Sequence, residues 1–406
     1  MNLIESGVAE YHPVDPDGFR AYVREHKERR MVSKLMDEHE AVSRFVADGD
    51  YMVYDCNYFS RGPSSLIREV IRQRKRDLWL CGRYTYVAVS LLVGAGCASK
   101  IDVGFCGVRL VEDKVRDGSV QLFEYSNVTM TLRLRAGSQG LPFIPVRSMG
   151  GTDTFTYSGA KLVEDPFTGK PITLLPALNP DVALIHVHQA DEYGNSRVFG
   201  TGVAHVESAL ASKKVIISAD EIIPAEEMKR NPGLTCIPYY VVDAVVEAPF
   251  GAYPGNLQGK HTSDGEHIQE VYRALNSGSL DEYFDKWVYS VGSHEEMLTE
   301  RVGLSRLLAL QRMQEVDHLE VFLVIDTAHT EQHFEIQLRG ILGQPANIHD
   351  ARGGYGDLGQ IVQRASFGPK LPENIRHPGQ QVPSRLAEQS QFFFGRAFFR
   401  RRLRRS

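Results

Sequence analysis

The sequence predicts an α/β protein with an open, largely parallel sheet flanked by helices. Two observations predict it. Short apolar runs recur along the chain, among them "DYMVYDC" at 50–56, "DLWLC" at 77–81, "DVALIHV" at 181–187 and "KVIISA" at 214–219. Stretches of helical spacing lie between many of them. Strands with little polar alternation are buried on both faces, and helices inserted between them make βαβ units and a parallel sheet.

Taken in order, "MVSKLMDEHEAVSRFV" at 31–46 has helical spacing, and "DYMVYDC" is a strand. "GPSSLIREVIRQRKR" opens a helix with Pro63 in its first turn. "DLWLC" is a strand, 87–98 a helix and "IDVGF" at 101–105 another strand. "VQLFEY" leads into a helix from Asn127 to Gln139. "PFIPV", "DVALIHV", "KVIISA" and "VVDAVVEA" at 241–248 follow as strands. Capping boxes predict two later helix starts, Ser263 with Glu266 and Ser293 with Glu296. The organisation expected is an N-terminal extension at 1–30, one domain at 31–310, and a C-terminal extension at 311–406. The last is rich in Arg and Phe near its end and expected to be partly disordered.

Composition narrows the function. The 406 residues are 42% hydrophobic and carry a formal charge of −5, so nothing draws the whole chain to nucleic acid and none is expected as a partner. Five cysteines without a CxxC pair suggest neither a disulfide framework nor a zinc knuckle, and point to a reducing, cytoplasmic setting. The start of the chain lacks a signal-peptide pattern. The longest apolar stretch, at 87–98, is too short to span a bilayer and reads as a buried helix.

Three features invite a site. His186 and His188, two apart on a strand, share a face as metal ligands do, but no third ligand has a fitting spacing and a strand end before a turn is the favoured reading. The ending "RAFFRRRLRRS" could touch an anionic membrane, although a disordered tail is the simpler account. Glu247 closes an apolar run, where a catalytic acid would stand in an open α/β sheet.

Four stretches together resemble the A (alpha) subunit of the class I CoA-transferases, most closely that of glutaconate CoA-transferase. They are "GSQGLPFIPV" at 137–146, "DPFTGKPITLLPALNPDVALIHVHQADEYGN" at 165–195, "DEIIPAEEMKRNP" at 220–232 and "VVDAVVEAPFGAYPGNLQG" at 241–259. The resemblance covers about residues 31–310 and implies the CoA-transferase subunit fold. It also implies a heteromer, completed by a B (beta) subunit, that handles an acyl-CoA and a small carboxylic acid with no bound cofactor. In such enzymes the thioester is attacked by a glutamate of the B subunit, within a Ser-Glu-Asn-Gly motif; this sequence has no "SENG". Glu247 falls where A subunits do not require an acid and reads as structural.

Against the family pattern, the Gly-Gly-Phe that closes the first strand is replaced by Asp55, Cys56 and Asn57, and a second glycine turn has become "CGRYTYV" at 81–87. The resemblance places Asp55, Cys56, Arg61, Tyr84 and Thr85 on the A side of the cleft. Arg61 is the expected clamp for a substrate carboxylate, because its planar fork matches that group. Cys56 could be a nucleophile only with a lowered pKa. Ser126 and Asn127 begin a helix where donors can meet an anion, and Gly150 and Gly151 form a permissive loop beside the cleft. Hydrolytic relatives use an acid near Asn127, and an amide cannot act as a base. Transferase is therefore the expected activity. The alternatives are a decarboxylase or ring-opening hydrolase on the same fold, or a non-catalytic subunit that binds CoA or a partner.

Overall fold

The computed structural model describes residues 2–314 except 57–58, 84–86, 106–107, 201 and 278. Twelve strands are described: β1 Leu3–Ser6, β2 Tyr51–Asp55, β3 Leu78–Gly82, β4 Ala98–Val103, β5 Gln121–Glu124, β6 Phe143–Val146, β7 Lys161–Glu164, β8 Pro171–Pro176, β9 Val182–Ala190, β10 Ser196–Arg197, β11 Lys214–Ile222 and β12 Ala244–Glu247. The main sheet runs β12-β11-β9-β2-β3-β4-β5, parallel throughout, with β10 antiparallel to β9. From β2 the chain builds outward through β3, β4 and β5, then returns to β2's other side with β9. That reversal between β2 and β9 is a topological switch point, the place where open α/β sheets bind ligands beyond the strand C-termini.

The apolar runs are continuous because helices cover both faces. Along β2, Met52 and Tyr54 pack with Leu66, Ile67, Val70 and Ile71 of the helix Ser64–Arg72 in one core cluster. Tyr51 and Val53, one residue out of phase, pack with Met130 and Leu134 of the helix Asn127–Ser138 in the other. Strand side chains alternate faces, so two cores follow from one strand.

A second sheet, β1-β7-β8-β6, is antiparallel. The stretch "PFIPV" therefore does not extend the parallel alternation; it pairs with β8. The β7–β8 hairpin turns at Asp165, whose carboxylate accepts from the Phe167 N–H and the Thr168 hydroxyl. Residues 2–30 are tied to the body of the fold. Strand β1 pairs with β7, and the buried Lys27 ammonium donates to Asp243 at 2.5 Å and to the Val241 carbonyl.

Two helix boundaries differ from expectation. Helix begins at Glu38 rather than near residue 31, because residues 34–36 run extended along β12: the Val245 N–H donates to the Lys34 carbonyl and the Met36 N–H to that of Val245. Lys34 buries its ammonium against the carbonyls of Glu28, Tyr239 and Val242. The helix Gly265–Ser277 is capped by Asp264, not Ser263. Its carboxylate accepts from the N–H groups of Glu266 and His267 and also binds Tyr253 and Arg306. Ser293 does cap the helix His294–Met297, accepting from the Glu296 N–H at 3.1 Å.

Beneath the crevice, Asp102 of β4 is fully buried. It accepts from the Tyr51 hydroxyl at 2.9 Å, the Trp79 indole at 2.6 Å and Arg133 at 2.6 Å. Arg133 lies on the Tyr125 ring, its guanidinium carbon 4.0 Å from the centroid, and donates to the Pro176 carbonyl. This network joins the main sheet, the helix Asn127–Ser138 and the antiparallel sheet. Removing one partner strands a buried charge. Arg133→Ala is therefore expected to lower stability by about 3 kcal/mol or more in a denaturant titration, and a loss below about 1 kcal/mol would contradict the network's role.

Candidate active site at the strand ends

Strand β2 ends at the switch point in Asp55, and its carboxylate has no solvent exposure. One oxygen accepts from Arg61 Nη2 at 2.5 Å; the other accepts from Arg83 and from the Ala204 N–H. Arg83 follows β3 directly, and both arginines are buried. Arg61 reaches back because its own backbone is left-handed, with φ 58°, and its N–H donates to the Asn256 carbonyl at 2.8 Å. For a non-glycine residue that conformation costs about 1 kcal/mol or more, so the surrounding contacts impose it.

Burial alone would raise the Asp55 pKa, but Arg61 and Arg83 outweigh it and hold the carboxyl well below the usual range. The clamp expected of Arg61 is thus already closed on a carboxylate of the chain itself. Cys56, the next residue, has its thiol pushed up to about 12 by burial and by the Asp55 charge. It is no nucleophile at neutral pH.

On the far side of the switch point, β9 carries His186 and His188. His186 Nδ1 is 3.0 Å from the Ser218 hydroxyl, and its ring rests on Gly251, where a Cβ would stand 2.6 Å from His186 Cε1. That close approach explains a glycine in the "APFGA" turn. His188 accepts from the Phe199 N–H on Nδ1 and donates from Nε2 to the Gln258 carbonyl. Asp191 does not join them; its carboxylate closes the following turn through the N–H groups of Tyr193, Gly194 and Asn195. Among the described residues no group of three His, Cys, Asp or Glu is placed to hold a metal ion.

Ser126 caps its helix, accepting from the Thr129 N–H while the Thr129 hydroxyl accepts from the Ser126 N–H. Asn127 faces Gly104, where a Cβ would meet Asn127 Oδ1 at 2.2 Å. Thr131, one turn on, lies 3.5 Å from Arg83. Asp55, Arg61 and Arg83 are therefore joined to the first turns of that helix. Gly150 and Gly151 are outside this network: Gly150 rests on Thr173 and Leu162 of the antiparallel sheet. Tyr84 and Thr85, with Asn57, lie outside the described residues. Sequence reading missed Arg83 and His205. The available signal for Arg83 was a charge directly after an apolar strand, opposite an acid at the same place on the neighbouring strand.

Buried polar atoms normally have partners. Here Arg61 Nε, Arg83 Nε, Asn127 Oδ1, His186 Nε2 and His205 Nδ1 have none among the described residues. The acids nearby are engaged or turned out: Glu221 pairs with Lys260 at 3.0 Å, and Glu247 is exposed at the end of β12. The site offers unfilled donors and fixed positive charge. Two of its carboxylates, Asp55 and Asp191, are fully engaged.

Two outcomes follow. Iodoacetamide at pH 8 is expected to leave Cys56 unlabelled in the folded chain and to label it after unfolding, as read by peptide mass spectrometry; ready labelling of the native thiol would contradict the burial. The second concerns buried imidazoles. Burial lowers His188 and His261 to about 4, and His267 and His294 to about 3. In the unfolded chain each takes up its proton near pH 6.5. Their contribution to stability is complete above that value and declines as pH falls toward 4, so Tm should drop from pH 7 to pH 4.5. A flat Tm across that window would refute the neutral, buried assignment.

The comparisons with known proteins agree with this fold. The family model described as Coenzyme A transferase matches residues 35–248. A protein of Archaeoglobus fulgidus with no assigned activity is 41% identical over 318 residues, 76% of this chain and 71% of its own. The A subunit of glutaconate CoA-transferase from Acidaminococcus fermentans is 29% identical, over 69% of this chain and 95% of its own length. The crystal structure of that enzyme superposes with a TM-score of 0.66 at 27% identity, covering 69% of this chain and 96% of the other. The decarboxylase AibA/AibB superposes with a TM-score of 0.57 at 28% identity, covering 63% and 98%. With a family match over more than half its length and this fold behind it, the chain belongs to the coenzyme A transferase family.

Proposed function

We propose that this chain is the A subunit of a heteromeric CoA-transferase. It moves CoA between the acyl-CoA of a small dicarboxylic or branched acid, glutaconate-like, and a free carboxylate, with the nucleophilic glutamate supplied by a B subunit. A cytoplasmic location belongs to the same reading; among the described residues no helix is long and apolar enough to cross a membrane. One observation carries the proposal. The carboxylate at the strand ends, Asp55, is locked between two arginines and the nearest thiol is held protonated, which supports a nucleophile supplied by a partner.

The chemistry is a sequence of exchanges at carbonyl carbon. A glutamate oxygen bonds to the thioester carbon and the C–S bond breaks, which leaves an anhydride and CoA thiolate. The thiolate then attacks the glutamyl carbonyl and expels the first acid, giving a glutamyl-CoA thioester. The incoming acid reverses the sequence. Each addition places negative charge on a carbonyl oxygen, and a buried cluster rich in guanidinium donors favours that charge without reorganising. Holding both reactants in a closed cleft makes the weak carboxylate nucleophile effective.

A second reading is supported by the likeness to AibA/AibB and by the side chains at the ends of β2 and β3: a decarboxylase acting on an acyl-CoA, with no acceptor acid. Reconstitution separates the two. The transferase reading predicts that this chain and its B partner together exchange CoA between glutaryl-CoA and acetate. It also predicts that neither chain does so alone, and that replacing the partner's nucleophile abolishes exchange. Exchange by this chain alone would overturn the two-chain assignment, and acyl-CoA consumption with release of CO₂ and no need for acetate would establish the decarboxylase.

A further inference from the structure

The cluster at the end of β2 is unbalanced. Arg61 and Arg83 bring two positive charges into the interior, and Asp55 returns one. Three other acids of the region are committed elsewhere. Asp102 holds Tyr51, Trp79 and Arg133; Asp191 closes its turn; Asp220 accepts from the Phe250 N–H at 2.8 Å. Glu207, on the same short helix as His205, is half-buried, makes no ion pair with either arginine, and has its charge beside His205. The loop positions 57–58, 84–86, 106–107 and 201 hold no acidic residue.

A buried charge without a counter-charge is strongly unfavourable, and replacing such groups by apolar ones would usually be neutral or stabilising. The cluster is nevertheless built with care. Arg61 is held in a left-handed backbone to reach Asp55, and Ala204 lends its N–H to the same carboxylate. Two guanidinium Nε–H groups, one from each arginine, are buried without an acceptor among the described residues. Each arginine is nine-tenths or more buried. His205, close by, has its pKa lowered by burial and by the charge of Arg61, and so adds no second cation at neutral pH.

We propose that Arg61 and Arg83, spaced by Asp55, form a built anion site that receives a second carboxylate in the cleft. Asp55 fixes the two guanidinium groups and reduces their charge to a net single positive, which one monoanionic carboxylate neutralises. The inference rests on the cleft of the proposed reaction and deepens that reading by assigning the charge class of what lodges there. Two sources can present this chemistry: the carboxylate of an acid substrate, or the glutamate of the partner subunit.

The test begins with this chain alone and so does not depend on turnover. Thermal unfolding is followed with added acetate or glutarate, and with glutaramide as the uncharged analogue. Ligand that binds only the native state raises Tm with its concentration. The carboxylates are expected to raise Tm in a saturable way and glutaramide to leave it unchanged. No carboxylate response, or an equal response to the amide, overturns the proposal. Arg83→Met leaves Asp55 neutralised by Arg61, so it should fold and lose the carboxylate response by on the order of tenfold or more. A full response retained in R83M overturns the proposal. If R83M does not fold, the charged-against-uncharged comparison on the unaltered chain still decides.

The assembled complex then separates the sources. Carboxylate binding that persists in the complex assigns the site to substrate. Binding lost on assembly and restored when the partner's glutamate is made Gln assigns it to the nucleophile. Exchange activity without carboxylate binding would refute this inference alone, and binding without exchange would refute the transferase reading alone.

Discussion

The site depends on one buried ionic contact, Asp55 held between Arg61 and Arg83. It sits where the parallel sheet reverses direction, at the point where an open α/β sheet leaves room for a ligand. The contact shapes what surrounds it. It draws Arg61 into a left-handed backbone, brings the segment before His205 to the end of β2, and keeps the Cys56 thiol protonated. Beneath it, the Asp102–Arg133 network ties the strand floor to the helix whose first turn carries Asn127 and Thr131. The fold thus places a buried cluster of two guanidinium groups and one carboxylate at the end of β2.

Much of the fold was legible because the physics is local. A strand buried on both faces must be apolar along its length, and β2, β3, β9, β11 and β12 announce themselves that way. Ser293 was readable as a cap, and Ser126 as one of two candidates with Asn127, since a cap needs only the residues that follow it. The second sheet was not readable as such. β6 and β8 have strand-like sequences, but their antiparallel pairing is a long-range choice that no local pattern records. The same limit explains Asp264, whose ties to Arg306 and Tyr253 favour it over Ser263 as a cap.

The site was legible in part. Asp55 and Arg61 were placed on the cleft by resemblance, and the structure joins them to each other rather than leaving Arg61 open. Cys56 was placed there too, and burial removes the reactivity its position suggested. Arg83 was overlooked because its partner lies 28 residues away on another strand, and an ion pair across a sheet leaves no periodic trace. His186 and His188 looked like a ligand pair in sequence; their hydrogen bonds to Ser218, Phe199 and Gln258 give both rings structural work.

In the proposed reaction the group attacking the thioester belongs to another polypeptide. The most direct measurement is to incubate the purified complex with acyl-CoA, trap the glutamyl-CoA thioester by borohydride reduction, and locate the modified residue by peptide mass spectrometry. The expected result is a single modified glutamate on the partner, with Asp55 in this chain unmodified. A trapped adduct on any residue of this chain would contradict it.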